Sequence, residues 1–412
     1  MKVLHVNYFD DYGGAAIAGL RIFKAQRKYG IDARMLVVIQ NTDIPDISPV
    51  SKTTFWRIKL FFKISTLLVN KLNKSTNPVL HSINLFGSGL HRQINKTDCD
   101  IVHLHWINRE MLSIREISKI SKPVVWTLHD SWAFCGAEHH PNGLDDDLYA
   151  RDYLPKQYKG FNINRWVLKR KKRLWKNKSF RIVTPSSWET ESAKKSSLFA
   201  NNEVITVPNC LDPDIFKPID KNVAKGILNL RPDKRYILFG AAEVNKMPVK
   251  GGDLLKSALE IFIEKYKPQD VELLIFGSSS YDSFSDIDLP VHFLGTIHSE
   301  YAMSLVYNSA DVMLVPSRMD NLPQTATEPA SCGTPVVCFS VGGLVDIVEH
   351  KSTGYIAGRF DFEDFAEGIN WVLNEADSSL LSKKAREKAL ANYNEKKCVD
   401  SYLNVYNEIL KR

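Results

Sequence analysis

The sequence predicts an α/β protein of two doubly wound domains, each a parallel sheet with helices on both faces. Three observations predict it. A chain of 412 residues exceeds what one hydrophobic core ordinarily serves, so two domains of about 200 residues each are expected. Short apolar runs rich in β-branched residues alternate with segments of helical period, the pattern of buried parallel strands joined by crossover helices. The alternation breaks at residues 207–218, VPNCLDPDIFKP, and then restarts, which marks a hinge.

In the first half, strands are expected at residues 3–6, 34–39, 101–105, 124–128, 181–184 and 204–207. In the second half they fall at 236–239, 272–276, 291–294, 312–315 and 336–339, and from about 362 to 410 the pattern is helical. The expected domains are therefore 1–210 and 211–390, followed by a terminal helix, 391–412, that packs back on the first domain.

Composition narrows the class. Hydrophobic residues at 44% and charged residues at 25% exclude disorder, collagen and coiled coil. The first strand is interrupted by His5, Asn7 and Asp10 and lacks the apolar core of a secretory signal. The best apolar run, 60–69, contains Lys63 and is far shorter than the roughly 20 residues of a membrane span. Six cysteines without a CxxC pair exclude a disulfide scaffold and fit a reducing cytoplasm.

The net charge of +7 hides an asymmetry. Residues 1–210 hold 32 Lys and Arg against 18 Asp and Glu, a balance of +14, and the remainder balances at −7. A basic half of this kind meets an anionic surface. No nucleic-acid-binding motif accompanies the charge, so an anionic membrane is the expected partner and nucleic acid is not. Residues 55–72 support this reading. They place Lys59, Lys63, Thr66 and Asn70 on one helical stripe, with Ile58, Phe61, Phe62, Leu68, Val69 and Leu72 away from it. Residues 165–181 add nine basic residues with Trp166 and Trp175.

Four segments carry candidate chemistry. Gly13 and Gly14 follow the first strand and open a helix, where backbone amides can approach a phosphate or sugar oxygen. The spacing is not GxGxxG, so a dinucleotide cofactor is disfavoured. His129 and Asp130 sit where the strand 124–128 ends, which places His129 to donate a hydrogen bond to a substrate. Nearby Cys135, Glu138, His139 and His140, and the paired His103 and His105, lack the short repeated spacings of a metal site, so no metal is expected. Lys250, in VKGGDLL, is a candidate diphosphate clamp. In residues 311–346, Asp320 lies in a loop and Glu328 down the following helix, where they can grip two parts of one extended ligand around a diphosphate on the helix amides.

The order of these segments resembles a known family. GG after the first strand, HD after a middle strand, NxxD at the hinge, KGGDLL, then PSRMDNLPQTATEPASCGTPVV and VGGLVDIV are similar to the retaining GT-B glycosyltransferases of family 4, in a branch of bacterial surface-polysaccharide enzymes. The resemblance implies two Rossmann-like domains facing each other across a cleft and transfer of a sugar from a UDP- or GDP-sugar, with no cofactor or metal. The acceptor would be lipid-linked or an oligosaccharide, at the cytoplasmic face of the membrane. By the same likeness Asp320 would hold donor-sugar hydroxyls and Glu328 the ribose, while Asn321, Leu322 and Pro323 would line the site through their backbone. Lys250 would bind the diphosphate, His129 would lie near the anomeric carbon, and Gly13 with Gly14 would form a glycine loop. Asp320 stands where the family usually has glutamate, and Ala241 and Ala242 stand where an arginine is usual, with Lys246 or Arg318 as substitutes. An epimerase, a phosphorylase and a non-catalytic membrane adaptor are the alternatives.

Overall fold

Seven strands form on the β-branched runs of the first half: β1 (Lys2–Phe9), β2 (Asp32–Ile39), β3 (Ile47–Pro49), β4 (Ile101–Leu104), β5 (Val124–Thr127), β6 (Arg181–Thr184) and β7 (Val204–Thr206). In the computed structural model, which describes residues 1–143, 147–154, 161–200, 202–240, 248–278, 284 and 286–411, they pair in parallel in the order β3-β2-β1-β4-β5-β6-β7. Successive strand residues face opposite sides, so Leu4, Val102, Val124 and Ile182 enter one core while Val3, Ile101, Val125 and Val183 enter another.

Helices fill both sides. On the first side α2 (Lys52–Leu72), α3 (Leu90–Lys96), α4 (Ile114–Ser118) and α5 (Ile163–Trp175) contribute Ile58, Ile94, Ile117 and Trp175; on the other, α1 (Gly14–Lys28) contributes Ile22 and Phe23. A sixth helix, α6 (Ser187–Lys195), follows β6.

The second half builds another all-parallel sheet: β8 (Arg235–Gly240), β9 (Val271–Phe276), β10 (Val291–Gly295), β11 (Val312–Val315), β12 (Val336–Phe339) and β13 (Gly354–Ala357), in the order β10-β9-β8-β11-β12-β13. Its helices are α7 (Lys221–Ile227), α8 (Gly252–Tyr266), α9 (Glu300–Ser309), α10 (Gln324–Cys332), α11 (Leu344–Ile347), α12 (Phe362–Asn370) and α13 (Ser378–Tyr393). The last helix, α14 (Glu395–Leu410), buries Val399, Tyr402, Val405 and Tyr406 against the core that α1 covers. The first unit is thus Met1–Cys210 plus the chain from Lys396, and the second is Leu211–Glu395, past the 390 boundary read from the sequence.

Two strands escape the sequence reading. β3 has three residues, ends in Pro49 and lies on the sheet edge, and β13 starts with Gly354, so neither gives a β-branched run.

The two basic segments also differ from expectation. In α2 the outward apolar residues are Trp56, Leu60 and Leu67, at 69%, 56% and 63% exposure. Phe61 and Phe62 are half-buried: Phe61 stacks on Phe86, and Phe62 packs with the Arg109 guanidinium. In α5, Lys171 is buried and its ammonium donates to the carbonyls of Trp132, Cys135 (3.0 Å) and Gly136 (2.8 Å), while Trp175 is buried and donates to the Ile114 carbonyl. Among the charges of the helix only Lys169 and Arg173 are exposed, with Lys176 just beyond it. Among the described residues no helix is long and apolar enough to cross a membrane.

Candidate active site

In the second unit, the chain leaves β11 at its carboxyl end and forms a loop through Asp320 to α10. Lys250, at the end of a single 3-10 turn (Pro248–Lys250), reaches that loop: its Nζ donates to Asp320 Oδ2 at 2.6 Å, and Ser317 Oγ donates to the same oxygen at 3.2 Å. The two loops are strapped by the Arg318 amide bonding the Val249 carbonyl at 2.8 Å. Gly251 lies in the left-handed region (φ 70°), and a Cβ there would sit 1.9 Å from the Pro316 carbonyl oxygen, so any side chain would force the loops apart. On the far side Gly342 approaches Asp320 as closely, and the Gly343 amide donates to the Asp320 carbonyl at 3.0 Å.

Beyond Asp320, Asn321, Leu322 and Pro323 are buried, and Pro323 stands at the N-cap of α10 with no side-chain cap. The helix start therefore offers backbone amides and the positive end of its dipole beside the Lys250–Asp320 pair, an arrangement suited to a diphosphate. Glu328 is buried within α10 and accepts a 2.7 Å hydrogen bond from the Tyr307 hydroxyl. Arg318, the substitute the sequence offered for the missing arginine, directs both of its terminal nitrogens to the Asp253 carboxylate, at 2.7 and 2.6 Å. Ala241, Ala242 and Lys246 lie outside the described residues.

In the first unit, Gly13 is the N-cap of α1 with φ 85°, and a Cβ on Gly13 or Gly14 would meet nothing within 4 Å, so this loop faces open space. His129 follows β5 and is partly buried. Burial pushes its pKa down to about 4, so the ring is neutral at pH 7. Its neighbour Asp130 holds the loop. The Asp130 carboxylate accepts from Trp106 Nε1 (2.7 Å), His139 Nδ1 (2.6 Å) and the Trp132 amide (3.0 Å). Burial alone would raise the pKa of Asp130, but His139 and the other donors hold it at about 2.

Sequence reasoning missed what lies behind His129. Its Nε2 meets His105 Nδ1 at 3.0 Å, and His105 Nε2 meets His5 Nδ1 at 2.9 Å. His5 Nε2 reaches Gln26 Oε1 at 3.1 Å, and Gln26 Nε2 donates to the Tyr406 hydroxyl at 2.8 Å. Tyr406 meets His103 at 2.7 Å, His103 meets Thr127 at 2.7 Å, and Thr127 meets Tyr402 at 2.8 Å. The signal was present as His5 and His103 in strands of mostly apolar residues, in register opposite each other, with His105 just past the end of β4.

His5, His103 and His105 bring ring nitrogens within 4.8 Å of one another, the one cluster with metal-ligand geometry among the described residues. Both nitrogens of each ring are already bonded to protein partners, so a metal there would have to displace those hydrogen bonds. Cys135, Glu138, His139 and His140 form no such cluster: Glu138 accepts from Tyr153, Asn77 and Asn164, and His139 spans Asp130 and Ser82.

Comparison with known proteins bears on both units. Residues 67–215 match the family model described as Glycosyltransferase Family 4, and residues 234–375 match Glycosyl transferases group 1. The chain is 30% identical over 212 residues to a D-inositol 3-phosphate glycosyltransferase of Mycobacteroides abscessus, an alignment covering 48% of this chain and 45% of that protein. Among solved structures, sucrose-phosphate synthase from Thermosynechococcus elongatus superposes with a TM-score of 0.70 at 18% identity over 100% of both chains. Anabaena Alr3699/HepE, solved in complex with UDP-glucose, superposes with a TM-score of 0.67 at 14% identity over 99% of this chain and 100% of that one. The chain spans about half the length of the curated relatives it matches.

Proposed function

The chain belongs to the group 1, family 4 glycosyltransferases and has their GT-B fold, and from that premise we propose that it transfers a sugar, with retention, from a nucleotide-sugar donor to a hydroxyl acceptor. The observation that carries this reading is the Lys250–Asp320 pair beside the start of α10. In the ligand-free state the ammonium is held by Asp320. A donor diphosphate takes its place against Lys250 and the α10 amides, while the freed Asp320 carboxylate accepts from sugar hydroxyls and buried Glu328 from the ribose. Asn321, Leu322 and Pro323 line this site through their backbone.

Charge on the diphosphate grows as the glycosidic bond breaks, so Lys250 and the amides act most strongly on the transition state. The leaving diphosphate then accepts the acceptor's proton on the face from which it departs. His129 and the Gly13–Gly14 loop contact substrate in the first unit, with no metal required.

The acceptor we assign is lipid-linked or an oligosaccharide in bacterial surface-polysaccharide assembly at the cytoplasmic membrane. Support comes from the outward Trp56, Leu60 and Leu67 of α2 among Arg57, Lys63 and Lys71, with no acidic residue on that helix. The relatives named for D-inositol 3-phosphate favour a second reading, a small phosphorylated cyclitol as acceptor.

The test is a panel of UDP- and GDP-sugars. One of them is expected to raise the melting temperature and to be hydrolysed slowly without acceptor. Lys250→Ala is expected to lose more in turnover than in donor affinity. Absence of stabilisation and of hydrolysis across the panel would remove the reading, and comparison of phosphorylated cyclitols with lipid-linked saccharides separates the two acceptors.

A further inference from the structure

We propose that an ordered chain of buried hydrogen bonds fixes His129 as the Nε2–H tautomer, so that it offers the lone pair of Nδ1 to a ligand and accepts a hydrogen bond from a hydroxyl instead of donating one. The role of the ligand rests on the glycosyl-transfer reading; the tautomer does not.

Burial keeps His5, His103, His105 and His129 neutral, so each ring carries one N–H and can donate at only one nitrogen. Such rings pass on whatever sense they receive: a ring that accepts at one nitrogen donates at the other. Gln26 is the one member of the chain whose two ends differ chemically, because Oε1 only accepts and Nε2 only donates. Its Oε1 faces His5 Nε2 and its Nε2 faces Tyr406.

The sense then propagates outward. His5 carries its proton on Nε2, its Nδ1 accepts from His105 Nε2, and His105 Nδ1 accepts from His129 Nε2. The only proton of His129 is committed to the interior. No other described group bonds His129 Nδ1, and the residue follows the carboxyl end of β5. On the other branch Tyr406, having accepted from Gln26, donates to His103 Nδ1, and His103 Nε2 donates to Thr127. Turning the Gln26 amide over would require every one of these bonds to reverse together. Gln26, His5 and His105 are therefore positioning residues. They make His129 select for a ligand hydroxyl and against an acceptor-only group such as a phosphate oxygen. This reverses the donating role that its position alone suggested.

The experiment is nitrogen NMR of the full chain with labelled histidine, ligand-free near neutral pH. His129 is expected to show an unprotonated Nδ1 and a protonated Nε2, with the same pattern at His5 and His105. Gln26→Glu still accepts from His5 and is expected to keep the pattern and the activity. Gln26→Leu is expected to give mixed tautomers at all three rings and about tenfold lower turnover. A protonated Nδ1 on wild-type His129, or an unchanged pattern in Gln26→Leu, would overturn the proposal. Should Gln26→Leu fail to fold, the wild-type and Gln26→Glu spectra decide. Failure of the donor panel leaves these spectra untouched, so the two readings fall separately.

Discussion

At the scale of single residues, Glu328 and Glu189 show how burial sets what a carboxyl group does. Glu328 holds the Tyr307 hydroxyl, so Glu328→Ala is expected to orphan that donor and cost about 1–3 kcal/mol of stability, with donor binding weakened by about 1.5–3 kcal/mol. Glu328→Gln keeps an acceptor for Tyr307 and isolates the charge; denaturant unfolding and donor titration of both variants check this, and unchanged donor affinity in both would separate Glu328 from the ligand. Glu189 is buried at the start of α6. Burial and the charge of Asp130 push its pKa up to about 8, against the Ser131 hydroxyl, which donates to it and pulls the other way. Its folded pKa is raised, so the stability this carboxyl contributes is complete below about 4.5 and is lost as pH rises from there through 8. Glu189→Gln, which can still accept from Ser131, is expected to be about 4 kcal/mol more stable than wild type at pH 8 and no more stable at pH 4.5, measured by urea midpoints. The positions of Asp320 and His129 were legible because each follows a strand end, and that of Glu328 because it falls a turn into the helix after Pro323. The imidazole chain was not, because Gln26, Tyr402 and Tyr406 are remote from the strands in sequence and ordinary in their helices.

At the scale of elements, periodicity identified α2 but misassigned its faces. A stripe of Lys59, Lys63, Thr66 and Asn70 left the rest of the helix looking apolar, and only packing tells which apolar residues the core takes. The core takes Ile58 fully and Phe55, Leu68 and Val69 in part, while Phe61 stacks on Phe86 and Trp56, Leu60 and Leu67 stay outside. Replacing those three by Ser is expected to abolish sedimentation with anionic vesicles at low salt while leaving the melting temperature within a few degrees. Phe61→Ser is expected to lower stability by about 2 kcal/mol and leave vesicle binding intact in the folded fraction. On α5 the same assay calls for Lys169, Arg173 and Lys176. Lys171 must stay, since its removal strips a donor from three buried carbonyls. An unaffected Ser variant would refute a membrane role for this face, and binding to neutral and anionic vesicles alike would refute the electrostatic part of it. The strands were more readable than the helices because a parallel sheet buried on both sides demands a continuous apolar run, a signal independent of which side is which.

At the scale of the whole molecule, the first unit is discontinuous in sequence: α14 belongs to it, although 185 residues of the second unit intervene. Val399, Tyr402, Val405 and Tyr406 are almost wholly buried there, which at about 1.5–3 kcal/mol per side chain makes α14 indispensable to that core. Ending the chain at Glu395 is expected to abolish hydrogen-exchange protection in β1, β4 and β5 while β8, β9 and β11 keep theirs; protection retained in β4 would show that α14 is dispensable. The discontinuity also imposes an order on biosynthesis. The first unit leaves the ribosome as an unfinished half, and at about 5–20 residues per second its last helix arrives roughly 10–40 seconds later. Through that interval one side of its sheet is covered by α1 without α14, an incomplete core open to chaperones, and on a crowded polysome the helix that completes it can equally come from a neighbouring nascent chain, giving an exchanged dimer.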